Sequence, residues 1–277
     1  MGTLIIAAAP IGNIGDASDR LREAISSADF IAAEDSRRFA RLCKDLAIDT
    51  SAPVISFFEG NERDRLAQLE SALGEHERVL LITDSGMPGV SDPGYRAVAL
   101  AIEKGFPIAV IPGPSAVTTA LMLSGLPTDR FAFEGFSPRT DAAREKRLEE
   151  LTSEERTMIF FEAPHRVISF LESAAKTWGA ARRAAICREM TKTYEEVVRG
   201  TLSELLTWSK SKEMLGEFTI VIAGFVPSEV SYTDDEIEKR VLHFESAGYS
   251  RKEAIASAAK EIGVPKRTVF DIMVARK

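Results

Sequence analysis

The stretch Val79 to Ala116, VLLITDSGMPGVSDPGYRAVALAIEKGFPIAVIPGPSA, restricts the possible folds more than any other part of the chain. Val79 to Ile82 and Ile108 to Ile111 are short continuous apolar runs, the pattern of strands buried on both faces, and Tyr95 to Lys104 between them has helical character. Strand, loop, helix and strand in that order build a parallel sheet, whose carboxyl edge is where ligands of such sheets bind. Each of the two strands is followed by a loop at that same edge.

The first loop, Thr83 to Gly94, carries Gly86, Pro88, Gly89, Pro93 and Gly94, with Asp84, Ser85, Ser91 and Asp92 among them. Gly permits positive φ, Pro fixes φ and withholds a donor, and Asp or Ser can hydrogen-bond a ribose or an amine. A plain connection needs less, so this segment reads as a binding loop. The second loop, Pro112-Gly113-Pro114-Ser115, leads into the apolar helix Ala116 to Leu123 and sets Ser115 at a helix N-terminus.

The same alternation runs through the chain. Leu4 to Ala8 is a first apolar strand, followed by Pro10-Ile11-Gly12-Asn13-Ile14-Gly15-Asp16 and a helix over Asp19 to Ala28 that Ser18 or Asp16 caps. The Gly-x-x-Gly spacing after a Pro is not the dinucleotide fingerprint. Phe30 to Ala33 is a second strand running into Glu34-Asp35-Ser36-Arg37-Arg38, ahead of a helix over Phe39 to Leu46. Two acids, a hydroxyl and two Arg at a strand end suit a phosphate- or ribose-bearing substrate and offer a base. Equally, Glu34 and Asp35 compensate a helix N-terminus while the Arg side chains are solvated. Val54 to Phe57 extends the sheet, and Leu66, Leu69 and Leu73 mark the core face of the helix Arg63 to Leu73.

The character changes near Asp129. Phe131 to Phe136 and Thr157 to Glu162 are strands, and the charged segment Asp141 to Glu150 between them reads as a solvated helix face or, following a loop with Arg139, as a surface for a polyanion, the former favoured. Glu162-Ala163-Pro164-His165-Arg166 opens the helix Val167 to Lys176, with Arg166 favoured over His165 for function. Ala184 to Cys187 is a strand leading to the polar run Arg188 to Glu196, which offers Lys192 as a donor and Glu195 as a base or else is a solvated connection. Thr201 to Trp208 is helical, and Glu217 to Ala223 is the last strand.

At 277 residues and 45% hydrophobic, the chain can bury two ordinary cores. Cys43 and Cys187 alone exclude a disulfide framework or a Cys-based zinc site, and no metal-ligand spacing appears. No apolar run approaches the roughly 20 residues of a membrane span, so a soluble cytoplasmic protein is expected. The net charge of −7 argues against wholesale attraction to nucleic acid but leaves room for a local basic patch.

Pro10-Ile11-Gly12-Asn13, Ala33-Glu34-Asp35-Ser36-Arg37, Thr83 to Pro88, Ser91-Asp92-Pro93-Gly94 and Pro112-Gly113-Pro114-Ser115 occur in that order. They continue with Phe133-Glu134-Gly135-Phe136, Glu162 to Arg166, Arg188-Glu189-Met190-Thr191-Lys192 and Gly216-Glu217. Together these motifs resemble the 16S rRNA (cytidine-2′-O)-methyltransferases of the tetrapyrrole methylase superfamily, across essentially the whole chain. The resemblance implies an α/β protein with two α/β domains of the tetrapyrrole methylase type, S-adenosylmethionine (SAM) in the cleft between them, and methyl transfer to a cytidine ribose in the decoding region of 16S rRNA within the small ribosomal subunit. A homodimer is usual for such proteins. The implied cofactor contacts are Asp84, Ser85, Gly86, Pro88, Ser91, Asp92, Ser115 and Ala116, with Pro10 lining the cleft. Ala9 and Met87 stand where Thr is usual, and Ser36 replaces another Thr, so hydroxyl contacts at Ala9 and Met87 are lost. The direct displacement needs alignment and proton removal and no metal. Asp35, Glu189 and Glu195 are the candidate bases, while Arg37, Arg166 and Lys192 are cations for phosphate or a developing alkoxide.

The expected domains are 1–128, 129–224 and 225–277. The last adds three helices, Asp234 to Ser246, Ser250 to Ile262 and Pro265 to Arg276, with Ser250 and Pro265 as starts and Gly248 and Gly263 as stops. From Tyr249 onward Arg251, Lys252, Lys260, Lys266, Arg267, Arg276 and Lys277 outnumber Glu253, Glu261 and Asp271. The short link Gly263-Val264 gives the last pair a helix-turn-helix form, which favours an RNA-contacting module over a dimerisation or packing appendage. Two alternatives remain: a methylase acting on a tetrapyrrole macrocycle, which needs only the core, and a ribosome-binding protein without activity.

Overall fold

The computed structural model describes residues 2–226 and 232–275, which form two compact units divided at Phe225 and Val226. The first unit begins with β1 (Thr3–Ala7), α1 (Asp19–Ser27), β2 (Phe30–Ala33), α2 (Ser36–Asp45), β3 (Val54–Ser56), α3 (Glu62–Glu75), β4 (Arg78–Ile82), α4 (Tyr95–Lys104), β5 (Ile108–Ile111) and α5 (Ala116–Ser124). The five strands pair in parallel in the order β3-β2-β4-β1-β5. Ile31, Leu80 and Ile82 face one core and Leu4, Val79 and Leu81 the other, which explains the unbroken apolar runs. The chain leaves β1 for β2 in one direction and β4 for β5 in the other. That reversal opens a crevice at the carboxyl ends of β1 and β4.

The unit continues with β6 (Phe131–Phe136), α6 (Asp141–Glu150), β7 (Thr157–Glu162), α7 (Val167–Trp178), β8 (Arg183–Arg188), β9 (Glu196–Thr201), α8 (Leu202–Lys210) and β10 (Phe218–Ile222). This second sheet is mixed, ordered β6-β7-β10-β8-β9, with β6 parallel to β7 and the other pairs antiparallel. The ends of β6, β7 and β8 and the start of β10 therefore share one edge. Phe160, Phe170, Leu171, Ile186, Leu205 and Ile220 fill the core on one face. On the other, Val117, Ala120 and Leu121 of α5 pack with Ile159, Cys187 and Val221. Burying Val117 and Leu121 supplies an upper estimate of about 3–6 kcal/mol that ties the first half to the second. The expected boundary near residue 128 separates two sheets that belong to one unit.

Two element readings are corrected. The polar run after β2 is already helix: α2 starts at Ser36 because Asp35 accepts the Arg37 and Arg38 amides at 2.8 and 3.4 Å. Within the run Arg188 to Glu196, Glu189 to Glu195 connects β8 to β9, an edge strand missed in the sequence because Arg199 and Gly200 interrupt its β-branched residues.

The second unit holds α9 (Asp234–Ser246), α10 (Arg251–Ile262) and α11 (Lys266–Ala275) around Ile237, Val241, Ile255, Ala258, Ile262, Val269 and Met273. At the start of α9 the Glu236 carboxylate accepts the Thr233 amide at 2.8 Å, and the Glu236 amide donates to the Thr233 hydroxyl at 3.3 Å. Gly263, at φ 70°, ends α10 in a left-handed turn. Arg276 and Lys277, which the sequence reading placed in the last helix and its basic stretch, lie outside the described residues.

Candidate active site

The crevice is a cleft of about 360 Å³. Ile11 after β1, Ser85, Gly86, Met87, Val90, Ser91 and Asp92 after β4, and Ser115 and Ala116 after β5 supply one wall. Phe136, Phe161, Glu162, Met190 and Glu217 supply much of the opposite wall, from the shared edge of the second sheet. The loops after β1 and β4 are tied by a two-way backbone bridge, Ala9 to Gly86, at 2.9 and 3.1 Å. This bridge uses the Ala9 main chain. Ser115 flanks α5 without a side-chain cap, so the first-turn amides of that helix face an uncapped N-terminus beside the cleft.

The loop Met87 to Gly94 is held under backbone strain. Ser91 adopts φ 62°, and Gly89 and Gly94 stand at 84° and 143°. Gly89 donates to the Pro93 carbonyl at 3.1 Å. Buried Glu62, in the first turn of α3, accepts the Gly94 amide at 3.1 Å and the Arg96 amide at 3.3 Å, and pairs with the Arg96 guanidinium at 3.0 Å. Sequence reading gave no sign of Glu62, because its partners lie more than thirty positions away.

Charge accumulates on one side. Burial first, and then the neighbouring Glu34, Asp84 and Glu217 carboxylates, push the Asp92 carboxyl up to about 7. Burial also raises Glu34 and Asp84 above the usual carboxylate range. Glu162 rises through burial despite the Ser137 hydroxyl and Arg166 that hold it.

The family model for the tetrapyrrole (corrin/porphyrin) methylases matches residues 3–206. The chain belongs to the tetrapyrrole methylases. Among its relatives, the ribosomal RNA small subunit methyltransferase I of Mycobacterium bovis is 46% identical over 275 residues, covering 99% of this chain and 95% of the relative. The protein of that name from Halalkalibacterium halodurans is 40% identical, covering 98% and 94%. Solved methylases share the fold at lower identity. The methyltransferase CobJ gives a TM-score of 0.62 at 21% identity, covering 81% of this chain and 95% of its own. Uroporphyrin-III C-methyltransferase from Thermus thermophilus, solved with S-adenyl homocysteine, gives 0.53 at 17%, covering 80% and 97%.

In this methylase Ser85, Gly86, Ser91, Asp92, Ser115 and Ala116 line the cleft, six of the residues carried over as cofactor contacts. Pro10, Asp84 and Pro88 are not part of that lining. Asp84 faces the Asp35 amide at 3.2 Å and Arg38 at 3.4 Å, and Pro88 is buried.

Asp35 and Arg37 are also off the cleft wall. The Asp35 carboxylate caps α2 and pairs with Arg37 at 2.8 Å, and Arg37 holds it well below the usual carboxylate range, which makes it a poor base. Glu189, Lys192 and Glu217 form a chain beside the cleft. Lys192 Nζ lies 3.0 Å from Glu189 and 2.7 Å from Glu217, and the Glu189 carboxylate accepts the Glu217 amide at 2.8 Å. Burial pushes the Glu189 carboxyl up, but the Glu217 amide and Lys192 outweigh it and leave it below its usual range. Lys192 is likewise raised against its burial by the two carboxylates, so it remains a cation at neutral pH. Glu195 is exposed and accepts the Thr191 amide at 2.6 Å. Arg166 sits inside the second sheet's edge, donating to the Ser137 hydroxyl at 2.6 Å and the Pro138 carbonyl at 3.0 Å, and so fixes the loop after β6. Among the described residues no His, Cys, Asp and Glu group is arranged to hold a metal, and no helix is long and apolar enough to cross a membrane.

Proposed function

We propose that this chain is a SAM-dependent methyltransferase that modifies the ribose 2′-hydroxyl of a cytidine in the decoding region of 16S rRNA, acting on the small ribosomal subunit. One observation carries the reading. Similarity to the small-subunit rRNA methyltransferases spans 99% of the chain, whereas the general methylase model ends at residue 206. The macrocycle alternative explains the core and leaves the three-helix unit without a task. The proposed substrate implies a cytoplasmic enzyme, and a homodimer is its expected assembly.

The cleft suits the cofactor. Ile11, Met87, Val90, Phe136, Phe161 and Met190 offer apolar surface for an adenine, while Asp92, Glu162 and Glu217 offer carboxylates to a ligand bearing sulfonium and ammonium charges. Ser85, Gly86, Ser91, Ser115 and Ala116 are the residues proposed to hold it. When bound, SAM supplies an already activated methyl group. The protein's tasks are then to align the hydroxyl, exclude water and accept a proton. The roles proposed for the cations are steadying negative charge on the substrate for Lys192 and meeting a phosphate for Arg37, whose 90% exposure supports that reading.

The test is transfer of labelled methyl from SAM to undermethylated small ribosomal subunits, followed by mapping of the modified nucleotide, with the full chain and with residues 225–277 removed. Cytidine 2′-O-labelling that depends on those residues is the expected result. Absence of RNA labelling under conditions where SAM binds overturns the reading in favour of the macrocycle methylase or the inactive binder.

A further inference from the structure

Four carboxylates surround one side of the cleft: Glu34 after β2, Asp84 and Asp92 after β4, and Glu217 before β10. Three are engaged. Glu34 accepts the Asp84 amide at 3.1 Å, Asp84 takes the Asp35 amide and Arg38, and Glu217 takes Lys192. Glu162, across the cleft, is held by Ser137 and Arg166. Asp92 lines the same cleft half-buried, yet it has no hydrogen-bond or ion-pair partner among the described residues. Its position is also the most constrained. Ser91 before it is in the left-handed region, the Gly89–Pro93 hydrogen bond closes the turn around it, and Glu62 anchors Gly94 beyond it.

We propose that Asp92 is the general base of the methyl transfer, the group that takes the proton from the substrate hydroxyl. This rests on the methyltransferase reading above. In the step, the substrate O–H bond breaks and its proton passes to an Asp92 carboxylate oxygen. The freed oxygen pair forms the new O–CH3 bond, while the methyl carbon's bond to sulfur breaks and leaves its electron pair on sulfur. The proton then passes from Asp92 to solvent.

The other acids are less suited. Asp35 and Glu189 are held below the usual carboxylate range by Arg37 and by the Glu217 amide with Lys192, so their proton affinity is low. Glu195 is solvent-exposed and bonded to the Thr191 amide. Asp92 instead has its proton affinity raised by burial and by Glu34, Asp84 and Glu217, into the range that favours a base at neutral pH. Arg38 and Lys192, the nearby cations, are already paired with Asp84 and with Glu217 and Glu189. A positive ligand in the cleft favours ionised Asp92, and loss of that positive charge during transfer restores the proton affinity as the proton arrives.

Two measurements on the full-length protein test this. The first is calorimetric titration with SAM at pH 6 to 8, in buffers of different ionisation enthalpy, which counts protons released. The wild type is expected to release a proton at the acid end and Asp92→Asn to release none; equal proton counts overturn the inference. The second is single-turnover methyl transfer to small subunits at saturating SAM. Asp92→Asn is expected to slow transfer at saturating SAM by about 10²–10⁴-fold and to flatten the wild type's fall in rate toward acid pH. Asp92→Glu, which restores a carboxylate, recovers part of the rate and serves if the Asn variant does not fold. A near-normal Asn rate at saturating SAM makes Asp92 a bystander or a cofactor contact and sinks the proposal. A wild type that labels no RNA at any pH defeats the substrate reading instead, and leaves the proton count to decide on Asp92.

Discussion

Asp92 and Glu62 show what a single side chain contributes here that its position in the sequence does not reveal. Asp92 was legible as part of a cleft loop from the Gly and Pro residues around it, but its lack of a partner among the described residues and its acidic neighbours Glu34 and Glu217 come from elements far apart in the chain. Asp35 shows the converse: the sequence left a base and a helix-terminus role equally open, and the side chain caps α2 and pairs with Arg37. The raised Asp92 carboxyl has a consequence for stability. Its folded value of about 7 exceeds the ordinary aspartate value of 3.8, so the stability it contributes is present below about pH 4 and is lost as pH rises through 7. Asp92→Asn is therefore expected to raise the Tm of the ligand-free protein at pH 8 by several °C and to leave it nearly unchanged at pH 4, as differential scanning calorimetry would show. Glu62→Gln, by contrast, removes the buried charge that holds Gly94 and Arg96. It is expected to weaken SAM binding by about 10-fold and to lower Tm, because a buried charged hydrogen bond is worth roughly 1.5–3 kcal/mol. Unchanged affinity in a calorimetric titration would remove Glu62 from any role in positioning the cleft loop.

At the scale of elements, apolar runs and turn residues located most strands and helices. The parallel strands were the most legible, since burial on both faces leaves a continuous apolar signature in residues such as Val79 to Ile82. β9 escaped because an edge strand buries only part of itself, and its Glu196, Arg199 and Gly200 read as loop. The connection before it also hides its constraints: Glu189 and Thr191 adopt φ 49° and 65°, and a Cβ on Gly216, itself at φ 93°, would stand 2.6 Å from the Glu189 side chain. Gly216→Ala therefore forces either the left-handed turn or the Glu189–Lys192–Glu217 chain to give way. A loss of about 1–3 kcal/mol in denaturant unfolding, with reduced methyl transfer, is expected. An unaffected variant would mean that this chain of charges is dispensable.

For the whole molecule, the problem is how an acidic protein meets a polyanion. A net charge of −7 opposes RNA at long range, so binding needs cations gathered locally and free of internal partners. The three-helix unit has them. Lys252, Lys260, Lys266 and Arg267 are exposed and carry no acidic partner among the described residues, whereas Arg240 and Arg251 are paired with Glu261 and Glu245. The unit keeps its own apolar core, so surface cations can be altered without emptying it. Each phosphate contact contributes a slope of roughly −0.7 to −0.9 in log affinity against log salt. Replacing all four by Gln is expected to reduce the slope for small-subunit RNA by about 2–4 in magnitude. Binding of SAM should be unchanged, since the cleft residues all lie in the first unit. Fluorescence anisotropy with labelled rRNA from 50 to 300 mM salt, about the range over which such slopes are resolved, reads the effect. An unchanged slope would assign these helices to assembly or packing and leave RNA recognition to the methylase core; a loss of SAM binding would show that the two units do not divide the work.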